Sequence, residues 1–287
     1  MSDLLESYAA ALRESGNYRV LKRLEIKEQY FEDDFAETRI AIALDTETTG
    51  TNCVTDEIIQ LSMTAFTYDN SGRIHKILDS LDQFRQPLRN YISPEITNLT
   101  GITPEMVAGK SIDAKQVEEY IQRASVITSH QCLFDRPFCE SLLPVFKSKH
   151  WACSLTQINW MQEGHQSARL GDLLADLGYY HFGHNAAQDV AALIAVLQQT
   201  LPSGSTAFAE MLENARRTTA LVEVRNARKH TDFLRSHGYR WAPEAKCWWR
   251  EAGWDRREAE MALVREECPG TAVSASKVTA RTRFRLI

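Results

Sequence analysis

A nearly all-apolar segment, Arg39–Asp45 (RIAIALD), constrains the possible folds of this 287-residue chain more than any other feature. A strand that lacks polar alternation is expected at the centre of a sheet that is covered on both faces. Further strands are predicted at 57–67, 73–81 and 124–128, and helices at 113–123, 135–145, 154–162, 169–177 and 186–200. This order predicts an α/β fold in which a mixed sheet is flanked by helices.

The strongest linker signal is the segment 201–205 (LPSGS), which ends the α/β pattern. We therefore predict a domain at 38–202 and, before it, a helical extension at 1–37 with helices at 3–14 and onward to about residue 29. Residues 203–225 are predicted to form a linker or helix. Residues 226–287 are predicted to form a small basic α+β domain, with helices at 226–237 and 255–267 and strands near 239–241, 246–250 and 278–286.

Two carboxylates, Asp45 and Glu47, stand where the central strand is predicted to end. Residues i and i+2 of a strand point to the same side, and ligands of α/β folds bind at such strand ends. Two adjacent like charges are unfavourable unless a proton or a cation neutralises them, and a hard divalent cation such as Mg²⁺ would do so. The alternative is an ordinary polar turn after a buried strand.

Two further clusters stand at predicted helix starts. Asp135 follows the strand at 124–128, where an isolated Asp would more often be a plain N-cap. His184 and Asp189 lead into the last long helix, and a side chain that titrates near neutral pH suits His184 to general-base chemistry. His181 is its local competitor, and a surface His beside a solvated Asp is the alternative interpretation.

Taken together and in order, these clusters resemble the motifs of the DEDD superfamily of 3′–5′ exonucleases. The matching segments are IALDTETTG at 42–50, the H-x-x-x-F-D pattern at 130–135 and HNAAQD at 184–189. The branch indicated has a His five positions before the last Asp, and ITNLTGITP at 96–104 is also similar to a family segment. The resemblance covers about residues 38–200 and implies an RNase H-like fold.

The resemblance implies a mechanism with two divalent cations, Mg²⁺ or Mn²⁺, held by Asp45, Glu47, Asp135 and Asp189. His184 would take the proton from the attacking water, and nucleoside 5′-monophosphates would leave the 3′ end of DNA, preferentially single-stranded. The expected setting is repair or proofreading, with a DNA polymerase or repair complex as a candidate partner. An RNA-trimming exoribonuclease and a catalytically inactive nucleic-acid-binding or polymerase-docking module are the alternatives.

Three residues are candidates for contact with the end of the nucleic acid. By resemblance, Thr48 would lie against the terminal nucleotide and Ile102 would supply an apolar wedge between the last bases. Phe134 would either contact a base or belong to the core. The pair Arg136-Pro137, directly after the Asp of the second motif, departs from the family pattern.

The tail differs from the rest of the chain in charge and in aromatic content. Residues 214–287 hold 16 Lys/Arg against 9 Asp/Glu, whereas residues 1–213 hold 17 against 29, and four of the six tryptophans lie in the tail. Basic side chains beside aromatic rings suit single-stranded nucleic acid. The candidates are Trp248 and an exposed arginine stripe that includes Arg281 and Arg283, and the alternative is that the tryptophans form the module's own core.

The remaining bulk features exclude other classes of protein. Six cysteines without a C-x-x-C pair argue against zinc fingers of the usual spacing and predict six reduced thiols, mostly buried. No uninterrupted apolar run approaches bilayer-spanning length, and the first residues are polar and acidic. We therefore expect a cytoplasmic protein with no membrane partner.

Overall fold

The computed structural model of the chain describes residues 2–25, 28 and 37–285. Its first elements are α1 (Ser2–Glu14), β1 (Lys22–Arg23), β2 (Arg39–Thr48), β3 (Ile58–Tyr68), β4 (Ile74–Phe84), α2 (Pro94–Thr100), α3 (Pro104–Val107), α4 (Ala114–Gln122), β5 (Val126–Ser129), α5 (Cys132–Leu142), β6 (Trp151–Cys153), α6 (Leu170–Asp176), β7 (Tyr179–Tyr180) and α7 (Ala186–Gln198). The elements that follow are α8 (Ala207–Arg216), β8 (Thr219–Arg225), α9 (Thr231–Ser236), β9 (Arg240–Ala242), β10 (Cys247–Gly253), α10 (Arg257–Glu267) and β11 (Ala272–Val278).

A five-stranded sheet in the order β4-β3-β2-β5-β6 forms the larger part of the molecule. The pairs β2–β3 and β3–β4 are antiparallel, whereas β2–β5 and β5–β6 are parallel. The sheet is therefore mixed and flanked by helices, and the predicted RNase H-like α/β arrangement is confirmed.

Both faces of β2 are covered, as its apolar composition requires. Ala41 and Ala43 pack with residues of α6, α7 and α8 on one face. Ile42 and Leu44 pack with residues of α4 and α5 on the other. Because side chains alternate along a strand, Asp45 and Glu47 continue the row that faces α7, and Thr46 continues the row that faces α5.

The predicted helix at 154–162 is wrong, since this stretch consists of turns. Hydrogen bonds made by side chains hold this stretch in place of a regular helix. The buried Trp160 donates its indole N–H to the Ser154 carbonyl at 2.7 Å, and the Gln157 side chain accepts from the Cys153 N–H at 2.7 Å. The helix predicted at 3–14 is present as α1, but residues 15–25 form no second helix, and residues 26, 27 and 29 lie outside the described part.

Of the linker or helix predicted at 203–225, the helix is present as α8, which completes the core of the larger domain. Phe208 and Met211 of α8 are buried in the cluster that also contains residues of α7. Thr206 caps α8 and donates its hydroxyl to the Gly72 carbonyl at 2.8 Å, which ties the helix to the β3–β4 turn. The smaller unit then begins at β8.

The C-terminal unit is an antiparallel sheet in the order β11-β8-β10-β9, with α9 and α10 packed on one face. Trp248 is only 6% exposed and belongs to the core of this unit, so it is not a surface contact for nucleic acid. The alternative that the module needs tryptophan for its own core holds for this residue.

The chain after Val278 does not form the strand predicted at 278–286. Strand β11 ends at Val278, and the described residues 279–284 turn back onto the larger domain, while Leu286 lies outside the described part. Arg281 is exposed, but Arg283 is only 3% exposed and donates to the carbonyls of Ala215 and Arg217. The prediction that Arg283 belongs to an exposed stripe of arginines is therefore wrong.

All six cysteines are free, and five of them are buried, as predicted. Among the residues that the structure describes, no helix is both long and apolar enough to cross a bilayer.

Candidate active site

Three carboxylates meet at the end of the central strand. Asp45 and Glu47 lie near the C-terminal end of β2, and Asp189 lies in the first turn of α7, which packs across the strand. Oxygen atoms of these three side chains all lie within 4.8 Å of one another. The i, i+2 spacing on β2 produces this meeting, because it points both strand carboxylates towards α7.

Asp135 reaches the same cleft from the opposite side of β2. It lies in the first turn of α5, is buried, and accepts a hydrogen bond from the Thr46 hydroxyl at 2.9 Å. The N-cap of α5 is Gln131, so Asp135 is not the capping residue. Its carboxylate is instead held against the strand that carries Asp45 and Glu47.

Burial makes these carboxylates difficult to ionise without a cation. It raises the pKa of Glu47 to about 8, and the charges of Asp189 and Asp135 add to the effect. Burial likewise raises the pKa of Asp135 to about 7, although hydrogen bonds from Thr46 and Ser129 oppose this. The pKa of Asp45 is raised well above its usual value, first by burial and then by Asp135, Asp189 and Glu47.

Such a donor set suits a hard divalent cation. Carboxylate oxygens are the ligands that Mg²⁺ and similar ions prefer, and a bound cation would favour ionised carboxylates in place of bound protons. The alternative of an ordinary polar turn does not account for buried and half-buried carboxylates that converge from β2, α5 and α7.

The two histidines before α7 occupy different positions. His181 Nε2 lies 2.7 Å from Asp189 Oδ1, and the other oxygen of Asp189 accepts from the Asn185 N–H at 3.1 Å. His184 is exposed, lines the same cleft and has a φ of 62°, a conformation uncommon for a residue with a side chain. The fold thus holds His181 against a carboxylate and places His184 at the rim.

The cleft above the carboxylates has a volume of about 650 Å³. Thr48, expected to contact nucleic acid, and Phe134, expected either to contact a base or to belong to the core, both line it. Phe134 also packs against Phe138 with ring centroids 5.0 Å apart, so it belongs to the cleft wall and to the edge of the core.

Ile102 does not line this cleft. It is 2% exposed and lies in an apolar cluster with Ile59 and Val107, so it has no surface to offer a base. Leu99 of α2 does line the cleft and is 52% exposed, so it can offer an apolar surface to a base. Its i, i+3 spacing from Ile96, another lining residue, was a helical signal that could have identified it.

Two further lining residues were not anticipated from the sequence. His130 lies with its Nδ1 2.7 Å from the Ser154 hydroxyl, and burial lowers its pKa to about 4, which keeps the ring neutral. Arg169, at the N-cap of α6, is exposed and is the only arginine or lysine among the described residues that line the cleft. An isolated arginine in a loop gives no periodic signal in the sequence.

A second cleft, of about 1080 Å³, separates the larger domain from the C-terminal sheet. Its walls include Leu133 of α5 and the sheet face opposite α9 and α10, where Arg240 lies over the Trp249 ring at 5.7 Å from its centroid. Leu133 lines this cleft and Phe134 lines the carboxylate cleft, so both clefts border the first turn of α5.

Three solved structures are similar to this chain. Exonuclease X in complex with 5′ overhanging duplex DNA is 21% identical over 61% of this chain and 99% of its own, with a TM-score of 0.43. Exonuclease I is 18% identical over 85% of this chain and 65% of its own, with a TM-score of 0.49. Zinc-bound E. coli ExoI in complex with single-stranded DNA is 19% identical over 85% and 64%, with a TM-score of 0.49.

No curated protein matches the chain in sequence. The family model described as RNase T exonuclease matches residues 42–197, more than half of the chain and the whole of the region that carries the converging carboxylates. The chain therefore belongs to this exonuclease family.

Proposed function

We propose that this chain is a metal-dependent 3′–5′ exonuclease that releases nucleoside 5′-monophosphates from single-stranded DNA, in repair or proofreading. The observation that supports this most is the convergence of Asp45, Glu47, Asp135 and Asp189 from three elements. Burial and mutual repulsion raise the pKa values of Asp45, Glu47 and Asp135, so the site is poorly suited to stay ionised without cations.

In this proposal the four carboxylates hold two divalent cations, Mg²⁺ or Mn²⁺. Bound there, the cations would supply a nucleophilic hydroxide and stabilise the leaving oxygen of an in-line displacement at phosphorus. Thr46 keeps Asp135 oriented through its hydroxyl, and Asn185 keeps Asp189 oriented through its backbone N–H. These contacts place the ligands before any cation binds.

His184 is the proposed general base, because it stands at the cleft rim on the side of Asp189 and matches the family position. His181, which contacts Asp189, is the rival for this role. The variants His184→Ala and His181→Ala separate them. We expect His184→Ala to lower kcat by about 10²–10⁴-fold with binding of the oligonucleotide retained, and His181→Ala to lower kcat much less.

The end of the nucleic acid would lie in the 650 Å³ cleft. Thr48 would contact the terminal nucleotide, Leu99 and Phe134 the last bases, and Arg169 a phosphate. Stacking on Phe134 and apolar contact with Leu99 are tolerant of sequence, as removal of successive nucleotides requires.

The C-terminal unit is proposed to contact the strand upstream of the cleft. Trp248 and Arg283 are buried, so the proposed surface is Arg240 with Trp249, together with the exposed Arg281. We expect Arg240→Ala combined with Trp249→Ala to weaken binding of a long oligonucleotide by roughly 10-fold, since loss of one stacked base costs about 1–3 kcal/mol. A trinucleotide substrate, too short to reach this surface, provides the control.

Degradation of 5′-labelled DNA and RNA oligomers of one sequence, mixed in one reaction, tests the substrate class. Faster shortening of DNA is expected. Faster shortening of RNA would favour the exoribonuclease alternative. Binding of either polymer without shortening would favour the catalytically inactive module.

A further inference from the structure

Arg136 directly follows Asp135 in α5 and is completely buried, at 0% exposure. Its Nε donates to Glu140 one helical turn later at 2.7 Å, and its guanidinium lies 5.5 Å from the ring centroid of Trp151. A buried charge is tolerated only when its donors are satisfied. One carboxylate cannot satisfy the five donors of a guanidinium.

The missing acceptors are backbone carbonyls of the C-terminal turn. Nη1 of Arg136 donates to the Arg283 carbonyl at 2.7 Å and more weakly to the Ala280 carbonyl at 3.5 Å. Nη2 donates to the Arg281 carbonyl at 2.7 Å. The residue beside a proposed metal ligand is therefore held by the last described residues of the chain.

This C-terminal turn, residues 279–284, is itself anchored on several sides. The Ala280 carbonyl accepts from the Trp151 N–H at 2.8 Å, next to the sheet edge formed by β6. Phe284 is buried in the cluster that contains Phe138 and Trp151, although its φ of 67° is unfavourable for a residue with a Cβ. Burial of its ring offsets this strain.

The start of α5 has weak local support of its own. Pro137 has no N–H, so the carbonyl of Leu133 receives no helical hydrogen bond from it. Gln131 occupies the N-cap without a side-chain hydrogen bond to the helix. Because Asp135 lies in this first turn, contacts from outside the helix must determine where its carboxylate points.

We propose that Arg136 is a positioning residue: through its bonds to the carbonyls of residues 280–283 it holds the first turn of α5, and thereby holds Asp135 at the metal site. This extends the proposed function and depends on it for the role of Asp135. The C-terminal turn is then part of the catalytic unit. Arg136, which departs from the family pattern, is thus the residue that binds the C-terminal turn.

Mn²⁺ binding, followed by electron paramagnetic resonance without nucleic acid, tests the proposal in full-length protein. Arg136→Lys keeps the charge but cannot reach three carbonyls and Glu140 at once. We expect its dissociation constant for Mn²⁺ to rise about tenfold and kcat to fall, with KM for the oligonucleotide unchanged. The exposed Arg265 of α10 provides the matched control, and Arg265→Lys is expected to behave as wild type.

Two more variants keep the test decisive if Arg136→Lys folds poorly. Phe284→Leu loosens the turn without touching the guanidinium and should shift Mn²⁺ affinity in the same direction. Arg136→Ala should regain Mn²⁺ affinity when guanidinium ion is added, because the ion can occupy the vacated site.

Folded Arg136→Lys with wild-type Mn²⁺ affinity and wild-type kcat would overturn the proposal. So would a loss of activity that only follows the unfolded fraction, with Mn²⁺ affinity unchanged in the folded protein. A wild-type protein that binds Mn²⁺ but cleaves nothing would contradict the proposed function, and the comparison of Mn²⁺ affinities would still test the role of Arg136.

Discussion

At the residue scale, burial disfavours the ionised form of the carboxylates at this site unless a cation is bound. Glu47 and Asp135 are buried and their pKa values are raised to about 8 and about 7. In the absence of metal each group binds a proton more tightly in the folded chain than in the unfolded chain. Proton binding and cation binding should therefore compete at the same oxygens.

This competition predicts how the metal-free protein responds to pH. A raised folded-state pKa means that the folded chain binds more protons between about pH 4.5 and 8, so stability falls as pH rises through that window. We expect the Tm in EDTA to fall from pH 5 to pH 8, and Mg²⁺ to restore it most at pH 8. A metal-free Tm that is flat or rising over this range would contradict the prediction.

Glu47→Gln is the matched variant, because it keeps the shape and removes the titration. At pH 8 the metal-free variant should exceed wild type in free energy of unfolding by about 1–3 kcal/mol, since one pKa unit corresponds to about 1.4 kcal/mol and the carboxylates share their repulsion. Its Tm in EDTA should change less with pH. Denaturant titration at pH 5 and pH 8 measures both.

Leu99 and Ile102 should separate a substrate contact from a core residue. Leu99→Ala removes an exposed side chain at the cleft, so KM for single-stranded DNA should rise with little change in Tm. Ile102→Ala removes buried apolar atoms and leaves a cavity, so it should lower the free energy of unfolding by about 2–5 kcal/mol. If both variants raised KM equally under conditions in which both are fully folded, Ile102 would be a substrate contact after all.

At the scale of elements, local patterns predicted the central part of the fold and failed where distant segments meet. Strand β2 was predictable because a run of apolar residues must be covered on both faces. The convergence of Asp45, Glu47 and Asp189 follows because strand residues i and i+2 point to the same side, towards the first turn of α7. Residues 281–285 alternate in polarity like a strand, yet Arg283 turns inwards to carbonyls of the α8–β8 junction. No local period reveals such partners.

The packing of α8 on the β3–β4 turn provides a test at this scale. Gly72 has a φ of 77°, and a Cβ there would lie 2.6 Å from the Cα of Ala209. Gly101 has a similar φ of 73° with nothing within 4 Å of a Cβ. Gly72→Ala should therefore destabilise the protein by about 1–3 kcal/mol more than Gly101→Ala, which reports backbone strain alone. Equal losses of unfolding free energy would contradict the packing described here.

At the scale of the whole molecule, the two units are joined by more than a connecting segment. Phe284 enters the core of the larger domain, and the Arg283 guanidinium donates at 2.6 Å to Glu251 of β10 as well as to the end of α8. A division of the chain at residue 226 does not describe these contacts. They join residues far apart in sequence, as Arg136 and its carbonyl acceptors at 281 and 283 do, so no local pattern predicts them. The C-terminal turn belongs structurally to both units.

Deleting residues 279–287 should therefore damage the larger domain. The guanidinium of Arg136 would lose its backbone acceptors and keep only Glu140, and loss of the buried Phe284 ring from the core costs about 3–5 kcal/mol. We expect a Tm well below that of the full chain and faster proteolysis within α5. A deletion variant with full stability and full Mn²⁺ affinity would show that the turn is dispensable.

We propose that the carboxylates converging from β2, α5 and α7 carry out metal-dependent hydrolysis from the 3′ end of nucleic acid. The most direct measurement is degradation of 5′-labelled single-stranded DNA with Mn²⁺ by wild type and by Asp189→Asn, with released nucleotides identified by chromatography. We expect a ladder that shortens from the 3′ end, nucleoside 5′-monophosphate as product, and loss of both in the variant or in EDTA. Shortening that persists in Asp189→Asn or in EDTA, or no shortening by wild type, would contradict the proposed role of these carboxylates.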